Sequence, residues 1–289
     1  MPKKIITDNL IINNSSTEPT TPSANTGVVY AENLGAKTTL KIKDPYAKNT
    51  SLQDAFCGNN IIMWNTTNTT GGLWIGTVGT SAGTFANTLP SASSFFASIK
   101  RSLYSNVATT TNQVLGVYGT ENLVFRGQSF FLGGFYFYSR FTFDVWTNGG
   151  RFFTGLSAVG TATAIITSNP STATNIHTCG FAVDSTDLSI FYFITNNGTT
   201  TTKQLVSGLD AIGSGSVYDA HIYCAPGSST IYWRLIELGS GQIVSGSQTL
   251  TLPSSTTTMR PYCVASNAAL TPVNSIRLGV NRIYIQTDV

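Results

Sequence analysis

The segment GGFYFYSRFTFDVWTNGGRFFTGLSA, residues 133–158, constrains the fold more than any other part of this sequence. It carries eight Phe and Tyr residues, and its side chains alternate with the period of two that turns successive residues of a β-strand to opposite faces. One face of the predicted strand carries Phe135, Phe137, Phe141, Phe143 and Val145, and the other carries Tyr136, Tyr138, Arg140, Thr142 and Asp144. We expect the phenylalanines to fill a β core rather than line a pocket, and the tyrosines to cover a neighbouring sheet or a partner subunit.

Further short strands follow at regular spacing, with hardly any sign of helix. They are predicted for the return strand at 151–158, for 179–184, 188–195 and 200–206, for a meander over 217–252, and within 260–267 and 275–289. Helical spacing is arguable only in 89–108, where a single short helix and a strand pair fit equally well. Residues 53–130 as a whole carry no pattern that assigns their fold. The chain therefore reads as all-β, an antiparallel sandwich or barrel.

The N-terminal residues 1–52 read as a separate attachment segment. Leu10, Ile11 and Ile12 form a short apolar cluster in an extended segment, and a Ser/Thr/Pro/Asn-rich linker follows. Residues 28–31 are predicted to pair with residues 39–43 in a small hairpin. Because two strands are marginal alone in water, this hairpin must dock on the main domain, residues 53–289, or on copies of itself.

The charge of the chain excludes several classes of partner. Only 10% of the residues are charged, against about 25% in ordinary globular proteins, so Thr, Ser, Asn and Gly must supply the polar surface. The net charge of +3 is too small to argue for nucleic acid or for an anionic membrane. The first residues lack the apolar run of a signal peptide, and no later segment reaches membrane-spanning length. We therefore expect no nucleic-acid partner and no membrane insertion.

No residue pattern predicts a metal site, a cofactor site or a catalytic site. The four cysteines, Cys57, Cys179, Cys224 and Cys263, form no CxxC pair, and the chain has only two histidines, so we expect free, mostly buried thiols and no metal. No G-x-S-x-G elbow, phosphate loop or H-E-x-x-H motif is present. A chemical activity cannot be derived from these residues.

Two groups of acidic residues are candidates for a cation site or an acid/base site. Asp184 and Asp187 bracket a turn, where they fit a calcium or paired-carboxylate site, although turn capping is commoner. Asp219, His221 and Glu237 lie on adjacent predicted strands, where they fit an acid/base pair or, more simply, a salt-bridged sheet surface.

The tryptophans give one further candidate. Trp146 and Asn148, in the turn after the aromatic strand, fit a stacking platform with a polar handle for a sugar, and Trp146 fits a cap on the core equally well. Trp64, Trp74 and Trp233 are expected in core packing or at a subunit interface.

Part of the sequence resembles tailed-bacteriophage fibre and receptor-binding proteins. In those proteins a hairpin of the type Tyr-Ala-x(n)-Leu-x-Ile-Lys-Asp follows a Pro/Ser/Thr-rich start and precedes the distal domain. The matching residues here are Tyr30, Ala31, Leu40, Ile42, Lys43 and Asp44. The body, from GGFYFYSRFTF to the terminal VNRIYIQTDV, looks like the β-sandwich head of such proteins, similar to concanavalin-like lectin and laminin-G-like jelly rolls. The resemblance covers most of the chain except 53–130.

The resemblance implies a non-enzymatic structural protein of the virion, assembled in the host cytoplasm and acting as a homotrimer. It implies attachment to other phage structural proteins through the N-terminal segment, with Leu10, Ile11, Ile12, Tyr30, Leu40 and Ile42 as candidate contacts. It also implies that loop residues bind a host-surface glycan, with Trp146, Asn148, Asp184 and Asp187 as candidates. The metal cluster of legume lectins finds no match here. A capsid-decorating or head-fibre protein and a glycan depolymerase tailspike are the alternatives, although the β-helix repeat of such tailspikes is absent.

Overall fold

The computed structural model divides the chain into two compact units, Met1–Phe56 and Cys57–Val289. The structure describes residues 19–24, 26–34, 37–45, 49–51, 60–66, 75–78, 86–94, 96–106, 111–128, 132–147, 149–159, 165–174, 176–187, 190–268 and 276–287.

The first unit contains a three-stranded antiparallel sheet of β1 (Val28–Leu34), β2 (Lys37–Lys43) and β3 (Asn49–Ser51). Val28 lies opposite Lys43 and Ala31 opposite Leu40, which confirms the predicted hairpin. The sequence did not predict β3, which pairs with the outer edge of β2 and so satisfies backbone groups that a bare hairpin would expose.

The candidate attachment residues of this unit fall in different places. Tyr30 is buried, and Leu40 and Ile42 are half-buried. Leu10, Ile11 and Ile12 lie outside the described residues. The ammonium of Lys43 donates a hydrogen bond of 2.9 Å to the carbonyl of Pro19, which ties the linker to the hairpin.

The second unit consists of fifteen described strands and one three-residue 3₁₀ turn, Pro170–Thr172. The strands are β4 (Asn60–Asn65), β5 (Ile75–Val78), β6 (Ala86–Thr88), β7 (Arg101–Ser105), β8 (Val114–Gly119), β9 (Phe135–Val145), β10 (Arg151–Ser157), β11 (His177–Val183), β12 (Tyr192–Asn197), β13 (Thr201–Leu205), β14 (Ser216–Cys224), β15 (Ile231–Glu237), β16 (Ile243–Gln248), β17 (Arg260–Ser266) and β18 (Arg277–Thr287). That short turn is the only helical element among the described residues, and no described helix could span a membrane.

These strands form two antiparallel sheets that face each other. The seven-stranded sheet has the order β13-β12-β11-β10-β17-β8-β5. The eight-stranded sheet has the order β16-β15-β14-β9-β18-β7-β6. Its β18 pairs with β9 on one side, and on the other side with β7 through its first residues and with β4 through its last. The all-β antiparallel sandwich predicted from the strand pattern is confirmed.

The phenylalanines of β9 fill the space between the two sheets. Phe135, Phe137, Phe141 and Phe143 are fully buried, while Tyr136 and Tyr138 on the opposite face are only partly so, which confirms the predicted alternation. The ring of Phe141 lies 4.7 Å from that of Phe152 on the facing sheet, measured between centroids. Burying one such side chain contributes about 1.5–3 kcal/mol.

A second apolar cluster covers the outer face of the seven-stranded sheet. Phe153 follows Phe152 in β10 and therefore points away from the main core, where it packs with Ile165, Ile166 and Tyr262. Aromatic residues at consecutive positions thus belong to two different clusters.

Two strand predictions need adjustment. The strand predicted for 188–195 begins at Tyr192, because the backbone is still turning before it: the amide of Asp187 donates to the carbonyl of Asp184, and that of Ile190 to the carbonyl of Asp187. In 89–108 the structure has the strand β7, and the described residues before it form turns rather than a helix. Ser94 accepts a hydrogen bond from the amide of Ala97 through its hydroxyl and one from the amide of Ser98 through its carbonyl, so these bonds stay within a single turn.

Candidate functional site

The outer face of the eight-stranded sheet presents aromatic and hydrogen-bonding side chains on three neighbouring strands. The β9–β14 register places Tyr138 beside His221 and Arg140 beside Asp219, and the β9–β18 register places Tyr284 beside Tyr138. Because directly opposed residues point to the same side of a sheet, these side chains share one surface. We call this surface the tyrosine face and define it by Tyr136, Tyr138, Arg140, Asp219, His221 and Tyr284.

Hydrogen bonds and ring contacts link the members of the tyrosine face to one another. The Tyr136 hydroxyl and His221 Nδ1 share a hydrogen bond of 2.7 Å, and the Tyr138 ring lies 5.0 Å from the His221 ring. The Tyr138 hydroxyl donates to Asp219 Oδ1 at 3.0 Å. The Arg140 guanidinium donates to both oxygens of Asp219, each at 2.7 Å. The side chains are therefore held in fixed positions before any ligand arrives.

The electrostatics keep Tyr138 and Arg140 as hydrogen-bond donors. Burial, followed by the nearby Asp219 carboxylate, raises the pKa of the Tyr138 hydroxyl well above its usual range. The hydrogen bonds from Arg140 to Asp219 raise the pKa of the guanidinium. Near neutral pH the tyrosine is therefore neutral and the arginine is charged.

Trp146, a predicted sugar platform, lies at the end of the main core. Its side chain is only 8% exposed, and its ring centroid is 4.5 Å from that of Phe143. This position is the core cap that the sequence left open as the alternative. Asn148 lies outside the described residues, so its predicted glycan contact stays a prediction.

Asp184 and Asp187 are joined by a lysine from β13. The Lys203 ammonium lies 2.7 Å from Asp184 Oδ2 and 2.6 Å from Asp187 Oδ2, and it also sits 4.0 Å above the ring of Tyr192. Asp184, which is 2% exposed, also accepts hydrogen bonds from the amide and hydroxyl of Ser171. Burial alone would lower the pKa of Lys203, but the two carboxylates outweigh it and raise that pKa.

An ammonium group thus occupies the position that a cation would take between these two carboxylates. In the described ranges, no three His, Cys, Asp or Glu side chains come together as a metal site. A glycan contact at Asp184 or Asp187 stays a prediction.

The acidic set on β14 and β15 is divided between the two faces of the sheet. Glu237 lies opposite Tyr218, which points into the core, and its carboxylate accepts a hydrogen bond from the Ser240 hydroxyl. Asp219 and His221 point outward. The prediction of a salt-bridged sheet surface is confirmed by the Arg140–Asp219 pair, and Glu237 does not belong to it.

The remaining cysteines and tryptophans lie in the interior. Cys179, Cys224 and Cys263 are buried free thiols, and burial raises the pKa of Cys263 to about 12. Trp64 and Trp233 are also buried, and the Trp233 ring stacks 5.6 Å from that of Phe193. Cys57 and Trp74 lie outside the described residues.

A hollow of ≈ 290 Å³ lies at the edge of the sandwich, after β13. Its lining is mainly apolar and consists of Ile190, Phe191, Leu205, Val206, Ser207, Leu209, Asp210 and Ala211. The Asp210 carboxylate already accepts a hydrogen bond from Gln242, so the hollow lacks the convergent free polar groups of a specific ligand site.

Several solved structures are similar to this fold. A protein of unknown function from Shewanella oneidensis MR-1 matches with a TM-score of 0.52 and 11% identity, over 81% of this chain and 89% of that one. The lectin UEA-II complexed with galactose matches with a TM-score of 0.51 and 11% identity, over 80% of this chain and 100% of that one. The chain folds as a lectin-like β-sandwich.

Lectin II from Ulex europaeus gives the same result, with a TM-score of 0.50, 11% identity, and coverage of 80% of this chain and 100% of that one. At this identity the likeness shows the fold of the lectin-like sandwich alone. No protein-family model matches the sequence, and no curated protein matches it.

Sequence reasoning missed most of the tyrosine face as a candidate site. The period-two pattern of β9 put Tyr136 and Tyr138 on its outward face, which was the one available signal. Tyr284 stood out only once the structure placed β18 beside β9, more than 130 residues apart in the sequence.

Proposed function

We propose that this chain is a bacteriophage virion protein of the tail-fibre or receptor-binding type. Its lectin-like sandwich binds a host-surface glycan through the tyrosine face, by non-covalent contacts and without catalysis. The solved lectin of the same fold in complex with galactose supports a glycan as the ligand, and the phage-fibre resemblance of residues 27–52 supports the virion context.

The observation that carries the proposal is the hydrogen-bonded set Tyr136–His221 and Tyr138–Asp219–Arg140 on an outward sheet face. A sugar ring presents both apolar C–H faces and hydroxyl groups. Tyrosine matches it with an apolar ring and a polar tip, while histidine, arginine and aspartate add donors and acceptors. Because these side chains already hold one another, binding freezes little additional side-chain motion.

The tyrosine face is built on extended strands, so each copy offers a broad surface to its ligand. Binding on such a surface is weak per site, and several linked copies raise the overall affinity without any new contact. The phage-fibre resemblance supports a homotrimer as this assembly. It also supports assembly in the host cytoplasm, with the first unit attached to other structural proteins of the particle.

The test is binding of the full-length chain to an array of host polysaccharides. We expect binding by the unaltered chain and at least a tenfold weaker apparent Kd for Tyr284→Ala, about what loss of an aromatic anchor costs. Tyr192→Ala is the matched control, because Tyr192 is a half-buried tyrosine on the outer face of the other sheet. Equal binding by Tyr284→Ala, or no binding to any host polysaccharide, would contradict the proposal.

Two further readouts separate the alternatives. Antibody labelling of virions is expected on the tail, and labelling of the capsid would favour a decorating protein. Release of reducing ends from host capsule would indicate a depolymerase, and the proposal expects none.

A further inference from the structure

The tyrosine face and its borders carry more positively than negatively charged side chains. Arg140, Arg234 and Arg282 lie on it or directly beside it, and Asp219 is the one described carboxylate among them. Both oxygens of Asp219 already accept hydrogen bonds from Arg140, and one of them also accepts from Tyr138. The single negative charge of Asp219 is therefore paired with Arg140 and balances only one of the three arginines.

Arg234 lies on β15 directly opposite His221 and points to the same side of the sheet. Its side chain is half-buried, and it makes no hydrogen bond or ion pair with any described residue. A guanidinium presents five N–H donors in a fixed plane, so this group has its full donor capacity available on the face.

Arg282 lies on β18 directly opposite Arg140. Like charges in directly opposed positions destabilise a sheet, and this pair has only the carboxylate that Arg140 already holds. Arg282 is exposed, and its one described hydrogen bond runs from Nε to Asn65 Oδ1 at 2.8 Å. Its terminal nitrogens are therefore available to an anion, whose arrival would also relieve the repulsion from Arg140.

The two arginines flank the tyrosines. Arg234 and Arg282 are three strands apart, and neighbouring strands are separated by about 4.8 Å, so they lie roughly 14 Å apart across the sheet. Arg234, His221, Tyr138 and Tyr284 form one row across the four strands, and Arg282 lies on the same strand as Tyr284, two residues away. A polymer that follows this row would meet Arg234, then the three rings, with Arg282 beside the last ring.

We propose that the glycan of the tyrosine face is an acidic polysaccharide, whose carboxylate, sulfate or phosphate groups are bound by Arg234 and Arg282. This inference rests on the proposed function and specifies its ligand class. Arginine binds such groups through two parallel hydrogen bonds, which gives geometric selectivity as well as attraction. A neutral sugar would leave both guanidinium groups without an anionic partner.

The test compares acidic polymers with neutral versions of the same chains, using the full-length protein. The probes are the acidic polysaccharides of the array, with polygalacturonate and polysialic acid added, each beside its carboxyl-reduced or dephosphorylated form. We expect binding to acidic members, a loss of at least tenfold after neutralisation, and weaker binding as salt is raised. Arg234→Gln and Arg282→Gln are each expected to weaken binding at least tenfold.

Arg277→Gln is the matched control. Arg277 is an exposed arginine on the same strand as Arg282, and five residues at about 3.4 Å each place it roughly 17 Å away. We expect it to bind as the unaltered chain does. Binding to neutral glycans that is lost in Tyr284→Ala but unchanged in both arginine variants would overturn the acidic ligand and leave the proposed function standing. Absence of binding to every glycan would overturn both, and binding to nucleic acid alone would do the same.

Discussion

Replacing Gly279 with alanine is expected to lower the free energy of unfolding by about 3 kcal/mol. Gly279 lies on β18 directly beneath a buried ion pair that joins the two neighbouring strands, and it leaves room for that pair. Arg101 lies on β7 and Asp144 on β9, on either side of β18. The Arg101 guanidinium donates to both oxygens of Asp144, each at 2.8 Å. A Cβ at position 279 would lie 2.7 Å from Arg101 Cδ, 3.0 Å from Asp144 Oδ1 and 2.5 Å from the Thr142 hydroxyl.

The expected loss of stability follows from the burial of the Arg101–Asp144 ion pair. The side chains of Arg101 and Asp144 are 4% and 8% exposed, so separating them would leave a charge with little access to water. Breaking a buried pair costs about 3–5 kcal/mol, and overpacking without a break costs about 1–3 kcal/mol. Since the arginine stem is flexible, we expect a value of about 3 kcal/mol, where the two ranges meet. For a unit of this size the corresponding fall in Tm is roughly 6–12 °C.

The assay is urea unfolding followed by far-UV circular dichroism and tryptophan fluorescence. Gly239→Ala is the control, because a Cβ there meets nothing within 4 Å, and we expect a change below about 0.5 kcal/mol. If the alanine acts through the ion pair, its cost must shrink in an Asp144→Ala background. The reasoning would be refuted by a Gly279→Ala protein as stable as the unaltered chain, or by equal costs in both backgrounds.

Two further predictions concern titratable groups in the sandwich. Burial raises the pKa of Cys263 to about 12, so we expect a thiol reagent near pH 8 to leave this thiol unmodified in the native protein and to label it in guanidinium chloride. Peptide mass spectrometry measures the labelling, and labelling of Cys263 in the native protein would contradict its burial. Burial lowers the pKa of His177, whose Nδ1 accepts a hydrogen bond of 3.1 Å from the Ser254 amide, so the unfolded chain takes up a proton near pH 6.5 before the native protein does. The stability that this group contributes is therefore complete above about pH 6.5 and is lost as the pH falls through the folded pKa. We expect His177→Gln to flatten the dependence of Tm on pH. An unchanged slope would show that His177 does not cause the pH dependence.

The sequence predicted where the strands lie better than it predicted which strands pair with each other. The alternation in β9 was readable because a strand's two faces depend only on residues two positions apart, and Phe137 and Tyr138 show it directly. The partners of β9 were not readable, because β14 and β18 follow it by many tens of residues and no local pattern encodes which strand will lie beside which. The third strand of the first unit was missed since its three residues are too few to show a period.

The candidate site depended even more on long-range pairing. Trp146 fitted both a sugar platform and a core cap, because whether a ring at the end of a strand caps the core depends on what lies opposite. Asp184 and Asp187 fitted turn capping or a cation site, and the sequence did not show that β13 places Lys203 between them. Tyr284 could not be told apart from any other strand tyrosine, and only the register with Tyr138 gave it a place on the tyrosine face.

The central position of β18 has a consequence for synthesis. This strand leaves the ribosome after every other described strand, yet it belongs between β9 and the pair β4 and β7. Until it emerges, the other described strands of the eight-stranded sheet stay in three separate parts, which are β16-β15-β14-β9, β6-β7 and β4. One border of β9 then offers unpaired backbone N–H and C=O groups. Such a border can pair with other nascent chains, so productive folding of this sheet has to wait until β18 has left the ribosome.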